Sequence, residues 1–316
     1  MSTDVLDLST LSGVGPATIE KLSSCGFANV MAVAVATPGE IATATGISEQ
    51  AARKMISQAR DAMDMGFEDG SQCLVKRQDV FKIKTGSTEF DKILGGGFES
   101  SAITECFGQY ASSKTQLAHQ LCVNLIKNDP DAYAIYVDTE NTFRPERIVE
   151  MAHGADMEPQ DVLSHIKIAK AYNSDHQMIL AEKVNDLIDD GLKVKLVIID
   201  SLTSHFRAEY VGRGTLADRQ QKLNKHMHVL SRLANTHNLC VYVTNQVMAR
   251  PDCFFGDPTE SIGGNIVGHN STFRIYLRRG KKGTRVAKLI DAPNMPDAEA
   301  IYEVHSEGLV DTKEGK

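Results

Sequence analysis

A short apolar run, Ile103–Phe107, breaks into Gly108-Gln109-Tyr110-Ala111-Ser112-Ser113-Lys114-Thr115 and then into a helical pattern marked by Leu117, Leu121 and Leu125. The layout matches the phosphate-loop template G-x-x-x-x-G-K-[ST] on a connection between strand and helix. Backbone N–H groups there wrap a phosphate, an ammonium reaches its outer oxygens and a hydroxyl reaches Mg²⁺. Gly108, Lys114 and Thr115 fit, whereas Ser113 stands where the second glycine is expected. A serine still supplies an N–H, but a positive φ suits it less than glycine. Taken alone, the stretch also fits a serine-rich turn ahead of a helix.

The remaining pattern supports the first reading. Ala132–Val137, His165–Ala171, Leu196–Ile199 and Leu239–Thr244 are short apolar runs ending in polar residues, separated by helical patterns such as Leu223, Met227, Leu230 and Leu233. Such alternation predicts an α/β fold with a central, mostly parallel sheet covered on both faces. Phe273–Arg278 and Arg285–Ile290 flank Gly280-Lys281-Lys282-Gly283 and predict a β-hairpin. Two of the runs end in acids. Leu196-Val197-Ile198-Ile199-Asp200 places a carboxylate where a second Mg²⁺-side group belongs, and Tyr136-Val137-Asp138-Thr139-Glu140 places another to orient an attacking water. A single acid at a strand end is usually a cap or a solvated loop residue. Three elements in this order are harder to attribute to chance.

At 316 residues the chain holds one large domain and room for a small one. Its 42% hydrophobic and 24% charged content is that of a globular protein. No window of 18 uninterrupted apolar residues exists, which argues against a membrane-spanning protein. No signal peptide is visible at Met1-Ser2-Thr3-Asp4, and Cys25, Cys73, Cys106, Cys122, Cys240 and Cys253 form no C-x-x-C pair. Free thiols and a cytoplasmic location are the expectation.

Residues 1–65 read as a separate all-α domain rich in alanine and punctuated by glycine. Leu11-Ser12-Gly13-Val14-Gly15-Pro16 is a tight glycine turn opening a helix, with Pro16 at its first position. Thr45-Gly46-Ile47-Ser48 is a weaker echo in which Ser48 is the N-cap. Backbone N–H groups at Gly13 and Gly15 would point outward at a helix start, an anion site suited to nucleic-acid phosphates. A small protein-interaction module with glycine turns is the alternative. Residues 66–84 look like a polar linker, and the α/β core runs from 85 to 316.

Several longer stretches carry a family resemblance. They are Asp138-Thr139-Glu140-Asn141-Thr142-Phe143-Arg144-Pro145-Glu146-Arg147, Gly212-Arg213-Gly214-Thr215-Leu216-Ala217-Asp218-Arg219, Ile262-Gly263-Gly264-Asn265-Ile266-Val267-Gly268-His269 and Asp291-Ala292-Pro293. Over nearly its whole length the chain resembles the RadA-type archaeal DNA recombinases, strand-exchange ATPases of the RecA fold preceded by a helix-hairpin-helix domain. The resemblance implies ATP and Mg²⁺ as cofactors, with K⁺ at the subunit interface a further candidate. It implies Gly108, Gln109, Tyr110, Ala111, Ser112, Ser113, Lys114, Thr115 and Gln116 around the phosphates, Thr115 and Asp200 at the metal, and Glu140 as the catalytic carboxylate. Lys114 acts with it, and Gln246 senses the γ-phosphate. Arg147 neighbours adenine, while Asp291 and Pro296, with Asp297, cap ATP held by the adjacent subunit. DNA would meet Arg213 and Arg219 in a first loop, and Arg250, Gly263, Gly264 and Asn265 in or beside a second that runs from about Val247 to Ile262. Phe67 and Gly70 stand for an oligomerisation motif in the linker; Phe67 could instead be a buried anchor.

The chain departs from the family pattern where Ala111, Ser113 and Asn141 replace glycines and Gly70 replaces an alanine. Taken as a total, its net charge of −7 opposes a DNA partner, but the total hides the distribution. Residues 205–288 hold 14 Lys and Arg against five acids, a segment of +9 that leaves −16 elsewhere. A basic stripe on an acidic body is a nucleic-acid footprint. His119, His226, His228 and His237 lie on helical patterns and read as capping or polar-face residues, and His269 reads either as a nucleotide sensor or as a structural hydrogen-bonding group. The implied function is a DNA-dependent ATPase that forms filaments, or rings, on single-stranded DNA and pairs it with double-stranded DNA in recombination and repair. A recombination mediator with weak ATPase and a RecA-fold DNA motor are the rival readings.

Overall fold

Four helices, Pro16–Ser24, Val30–Ala34, Pro38–Thr45 and Glu49–Ala62, enclose a small core of Leu22, Val30, Val33, Ile41 and Ile56 in the computed structural model of the chain. The structure describes residues 7–63, 65–249 and 259–313, which divide into two compact units, Met1–Asp79 and Val80–Lys316. In the first unit Gly13 takes a φ of +83° and Gly15 is the N-cap of the Pro16 helix. Gly46 ends the third helix in the left-handed region, and the Ser48 hydroxyl accepts from the Ala51 N–H to open the fourth. These are the two glycine turns of the sequence. The segment 66–84 is more regular than its polarity suggests. Asp69 and Gln72 form a capping box that starts a helix at Gly70–Lys76, followed by a 3₁₀ turn at Arg77–Asp79.

The second unit opens with an antiparallel pair, β1 (Lys82–Ile83) and β2 (Phe98–Glu99). Its large sheet is built from β3 (Ala102–Phe107), β4 (Tyr133–Asp138), β5 (Ile166–Lys170), β6 (Val194–Asp200) and β7 (Cys240–Asn245). A two-stranded ribbon follows, β8 (Val247–Ala249) and β9 (Thr259–Ser261). The sheet is completed by β10 (Phe273–Arg279), β11 (Arg285–Asp291), β12 (Ala298–His305) and β13 (Gly308–Asp311). The nine-stranded order is β13-β12-β11-β10-β3-β7-β6-β4-β5. From β10 to β5 every pair is parallel, and the β10–β13 edge is antiparallel. The expected hairpin is β10–β11.

Strand periodicity divides the core into two layers. Ala134, Tyr136, Leu196, Ile198, Cys240 and Tyr242 face the helix Lys114–Asn128, while Ile135, Val137, Val197, Ile199, Val241 and Val243 face the helix Leu216–His237. Both faces are buried, as a parallel sheet requires. Register then sets the site. Phe107 pairs with Asn245, and Asp138 with Asp200, so the C-terminal ends of β3, β7, β6 and β4 finish level with one another. Ligands of open α/β sheets bind beyond such ends. No helix among the described residues is long and apolar enough to cross a membrane.

Candidate functional site: a phosphate loop at the strand ends

Gly108 leaves β3 against β10 so closely that a Cβ there would sit 2.0 Å from the Leu277 carbonyl oxygen. Only glycine fits. The loop then winds with Ala111 at φ 58° and Ser113 at φ 80°, and the turn after β4 does the same with Asn141 at φ 56°. These are the three positions where the family pattern has glycine, so the backbone keeps the left-handed geometry although the side chains oppose it. Ser113 is held there by its hydroxyl, which is 2.7 Å from the Tyr302 hydroxyl on β12.

Lys114 begins the helix and folds its ammonium back into the loop, donating to the Gly108 and Gln109 carbonyls at 2.8 and 3.0 Å. Burial lowers its pKa, and the carboxylates of Asp200 and Glu140 oppose that shift. A cation surrounded by loop carbonyls and facing two acids is suited to a polyphosphate. The Thr115 hydroxyl donates to Asp200 at 2.8 Å, and Asp200, 4% exposed, also accepts from Tyr136 at 2.7 Å, from Thr142 at 3.4 Å and from Thr244. This oxygen-only set suits a hard divalent cation such as Mg²⁺.

Glu140 is set by the residue two before it. Asp138 accepts the backbone N–H groups of Glu140, Thr142 and Phe143 at 3.1–3.2 Å, which closes the turn. Across the sheet end, the Gln246 amide donates to Glu140 Oε1 at 2.7 Å, and Arg207 donates to the same amide's oxygen at 2.9 Å. Gln246 follows β7 and leads straight into β8. Arg147 also lines the cavity, but its guanidinium is committed to Gln116, Glu150 and the carbonyls of His305 and Ser306. The cavity is about 970 Å³ and includes residues 108–116, Glu140, Asp200 and Gln246 in its lining. Thr142, Thr244, Tyr136, Arg207 and Arg285 belong to the site and were not singled out for it in the sequence. Thr244, the polar residue closing an apolar strand beside Gln246, carried the signal that was available.

Other expected residues lie elsewhere. Asp291 and Pro296 do not line this cavity; Asp291 borders a second one of about 500 Å³ with Gly264, Asn265 and His269. Gly263 and Gly264 have φ of +100° and +55° at the start of the helix Gly264–Asn270. Arg213 falls in a 3₁₀ turn, Arg213–Thr215. Arg219 is not in a loop: it lies in the first turns of the helix Leu216–His237, whose start precedes it by three residues. The second loop has paired stems in β8 and β9, and Arg250 lies outside the described residues. The basic stripe is also smaller than its count, because Lys222, Arg274 and Arg278 pair with Asp175, Glu105 and Glu299 outside the segment. Phe67 is fully exposed, which removes the buried-anchor reading. His119 and His226 are not polar-face residues. Both are buried, and burial pushes each down to about 4. Among the described residues no cluster of His, Cys, Asp and Glu could hold a metal by itself.

The family model described as Rad51 matches residues 76–312, and that of the SAM-like helix-hairpin-helix tandem matches residues 5–61. The chain is 51% identical over 319 residues to the DNA repair and recombination protein RadA of Methanococcus voltae, spanning 96% of this chain and 99% of that one. It is 50% identical over 318 residues, with the same coverage, to the DNA repair and recombination protein RadA of Methanococcus maripaludis.

Proposed function

This chain belongs to the Rad51 family of recombination proteins, and from that premise we propose that it is an ATP-dependent recombinase that assembles as a filament on single-stranded DNA and exchanges strands with a homologous duplex. The observation that carries the proposal is the hydrogen-bonded run Arg207–Gln246–Glu140 at the sheet end, beside Thr115–Asp200 and one residue from the β8–β9 ribbon. It joins the place where a phosphate would be cleaved to the place where DNA would be gripped.

The loop N–H groups and Lys114 hold the phosphates, and Arg147 flanks the base. Thr115 and Asp200 would hold Mg²⁺, which supplies charge neutralisation on the phosphate oxygens. Glu140, fixed by Asp138, accepts the proton of the attacking water or orients it. Gln246 reads the outer phosphate and carries the difference into β8. In this reading Asp291 and Pro296 cap the nucleotide of the adjacent subunit, and Phe67 and Gly70 dock one subunit on the next in a head-to-tail contact that does not close. Arg213, Arg219, Arg250, Gly263, Gly264 and Asn265 face DNA, with Gly13 and Gly15 gripping nucleic-acid phosphates from the 1–65 domain. Residues 66–84 join that domain to the 85–316 core. A K⁺ ion at the subunit interface and a cytoplasmic location complete the proposal.

The test is ATP hydrolysis with and without single-stranded DNA, run beside strand exchange by the purified protein alone. DNA-stimulated hydrolysis with strand exchange is expected, and Lys114→Ala should abolish both. Pairing only in the presence of a second recombinase would make the chain a mediator, and unwinding without pairing would make it a motor.

A further inference from the structure

Glu105 stands in β3, three residues before Gly108, and none of the phosphate chemistry uses it. It is fully buried, and a carboxylate in that position persists only if it is paired and hydrogen-bonded. It is paired from two sides. Asn245 Nδ2 donates to Oε1 at 2.8 Å, and Arg274 Nε donates to Oε2 at 2.8 Å.

Both partners also hydrogen-bond to the β9 stem of the β8–β9 ribbon, and Asn245 is joined to the β8 stem through the chain. Asn245 precedes Gln246 and β8, and its amide donates as well to the Ile262 carbonyl just beyond β9. Arg274 extends Nη2 to the Ser261 hydroxyl, the last residue of β9, at 2.8 Å, while its guanidinium covers the Phe107 ring at 5.2 Å. The Ile262 N–H closes the base of the ribbon on the Gln246 carbonyl at 3.0 Å. One buried carboxylate on the phosphate-loop strand is therefore linked to both stems.

We propose that Glu105 and Arg274 are positioning residues that hold both stems of the ribbon at a fixed place relative to the phosphate loop. A change at Gln246 is then passed outward along the ribbon instead of being absorbed at its base. The inference rests on the reading of that ribbon as the root of the second DNA loop. It requires the arginine fork. Nε serves Glu105 and Nη2 serves Ser261 at the same time, whereas a lysine ammonium neutralises Glu105 but cannot also hold Ser261 in that geometry.

Full-length Arg274→Lys tests this, because it keeps the charge and the ion pair. Affinity for a fluorescent poly-dT oligonucleotide is measured with and without a non-hydrolysable ATP analogue. Without nucleotide, the variant's Kd and its salt dependence should equal those of the unaltered protein, since the phosphate-facing charge is the same. The nucleotide-induced tightening should fall about five- to tenfold, the range expected when a coupling contact is cut. Glu105→Gln, which keeps an acceptor for Asn245, should reduce the same ratio, and Arg274→Lys decides if Glu105→Gln does not fold. An unchanged ratio in Arg274→Lys overturns the inference, as does equal weakening with and without nucleotide, the mark of a purely structural role. If the unaltered protein shows no nucleotide-dependent tightening, the recombinase reading itself fails and takes the inference with it.

Discussion

Replacing Ser113 by glycine removes a side chain from a left-handed backbone position, and simple loop chemistry would expect a gain in stability. The structure predicts a loss. A non-glycine residue in that region costs about 1–2 kcal/mol, and glycine gives back about 0.5–1 kcal/mol through the larger entropy of its unfolded chain. Relief of strain is therefore worth about 0.5–1 kcal/mol. Against it stands the hydrogen bond between the Ser113 and Tyr302 hydroxyls; the Tyr302 hydroxyl is buried and has no other partner among the hydrogen bonds of the described residues. An orphaned buried hydroxyl costs about 1–3 kcal/mol. Ser113→Gly should thus destabilise the protein by about 1 kcal/mol. In a Tyr302→Phe background nothing is orphaned, and the same change should stabilise by about 0.5 kcal/mol, a coupling of about 1.5 kcal/mol in the double-mutant cycle. Urea unfolding of the four proteins at one pH reads these differences from the midpoints. A more stable Ser113→Gly single variant, or a coupling below about 0.5 kcal/mol, would show that the Ser113–Tyr302 bond does not outweigh the backbone strain.

Three further outcomes are expected. His119 and His226 are held neutral in the fold at about 4, below their unfolded value of 6.5, so the unfolded chain binds more protons between those limits. Stability should be full above pH 6.5 and fall as the pH drops toward 4, by about 3 kcal/mol for each histidine at the acid end; urea midpoints at pH 7 and pH 5 check the sign, and an equal midpoint would contradict it. Phe67→Ala should leave the melting temperature unchanged and weaken self-association in analytical ultracentrifugation, because the ring is fully exposed; Gly70→Ala, whose Cβ would meet nothing within 4 Å, should fold equally well and associate no less tightly. Glu140→Gln should lower ATP hydrolysis by roughly 10²–10⁴-fold while nucleotide-dependent DNA binding persists, which hydrolysis and gel-shift assays on one preparation would separate.

The strand-end acids were legible because a parallel strand is an apolar run with an abrupt polar end, and Asp138, Glu140 and Asp200 sit at or just beyond such ends, whereas Gln246 came from the family resemblance alone. The phosphate loop was legible in spacing although two of its glycines are missing, since a left-handed backbone can be imposed by its surroundings. Other features depended on tertiary packing. His119 is buried because its helix is enclosed by the sheet and by the rings of Tyr136 and Phe143, which no local period reveals. His226 differs: it stands three residues after Leu223 and four before Leu230, on the apolar stripe, a signal that the polar-face reading overlooked. The helix at Gly70–Lys76 was likewise announced by Asp69 and Gln72, a capping pair masked by the polar composition around it. The Glu105–Arg274 pair joins residues 169 positions apart, and only the parallel pairing of β3 with β10 brings them together.

In the proposed function, DNA binding and ATP hydrolysis are one event, joined by a run of hydrogen bonds from Thr115 and Asp200 through Thr142, Asp138, Glu140 and Gln246 to the start of β8. The most direct measurement is the rate of ATP hydrolysis by Gln246→Ala as single-stranded DNA is titrated. Residual hydrolysis that DNA no longer stimulates, with the nucleotide still bound, is expected. Stimulation equal to that of the unaltered protein would contradict it.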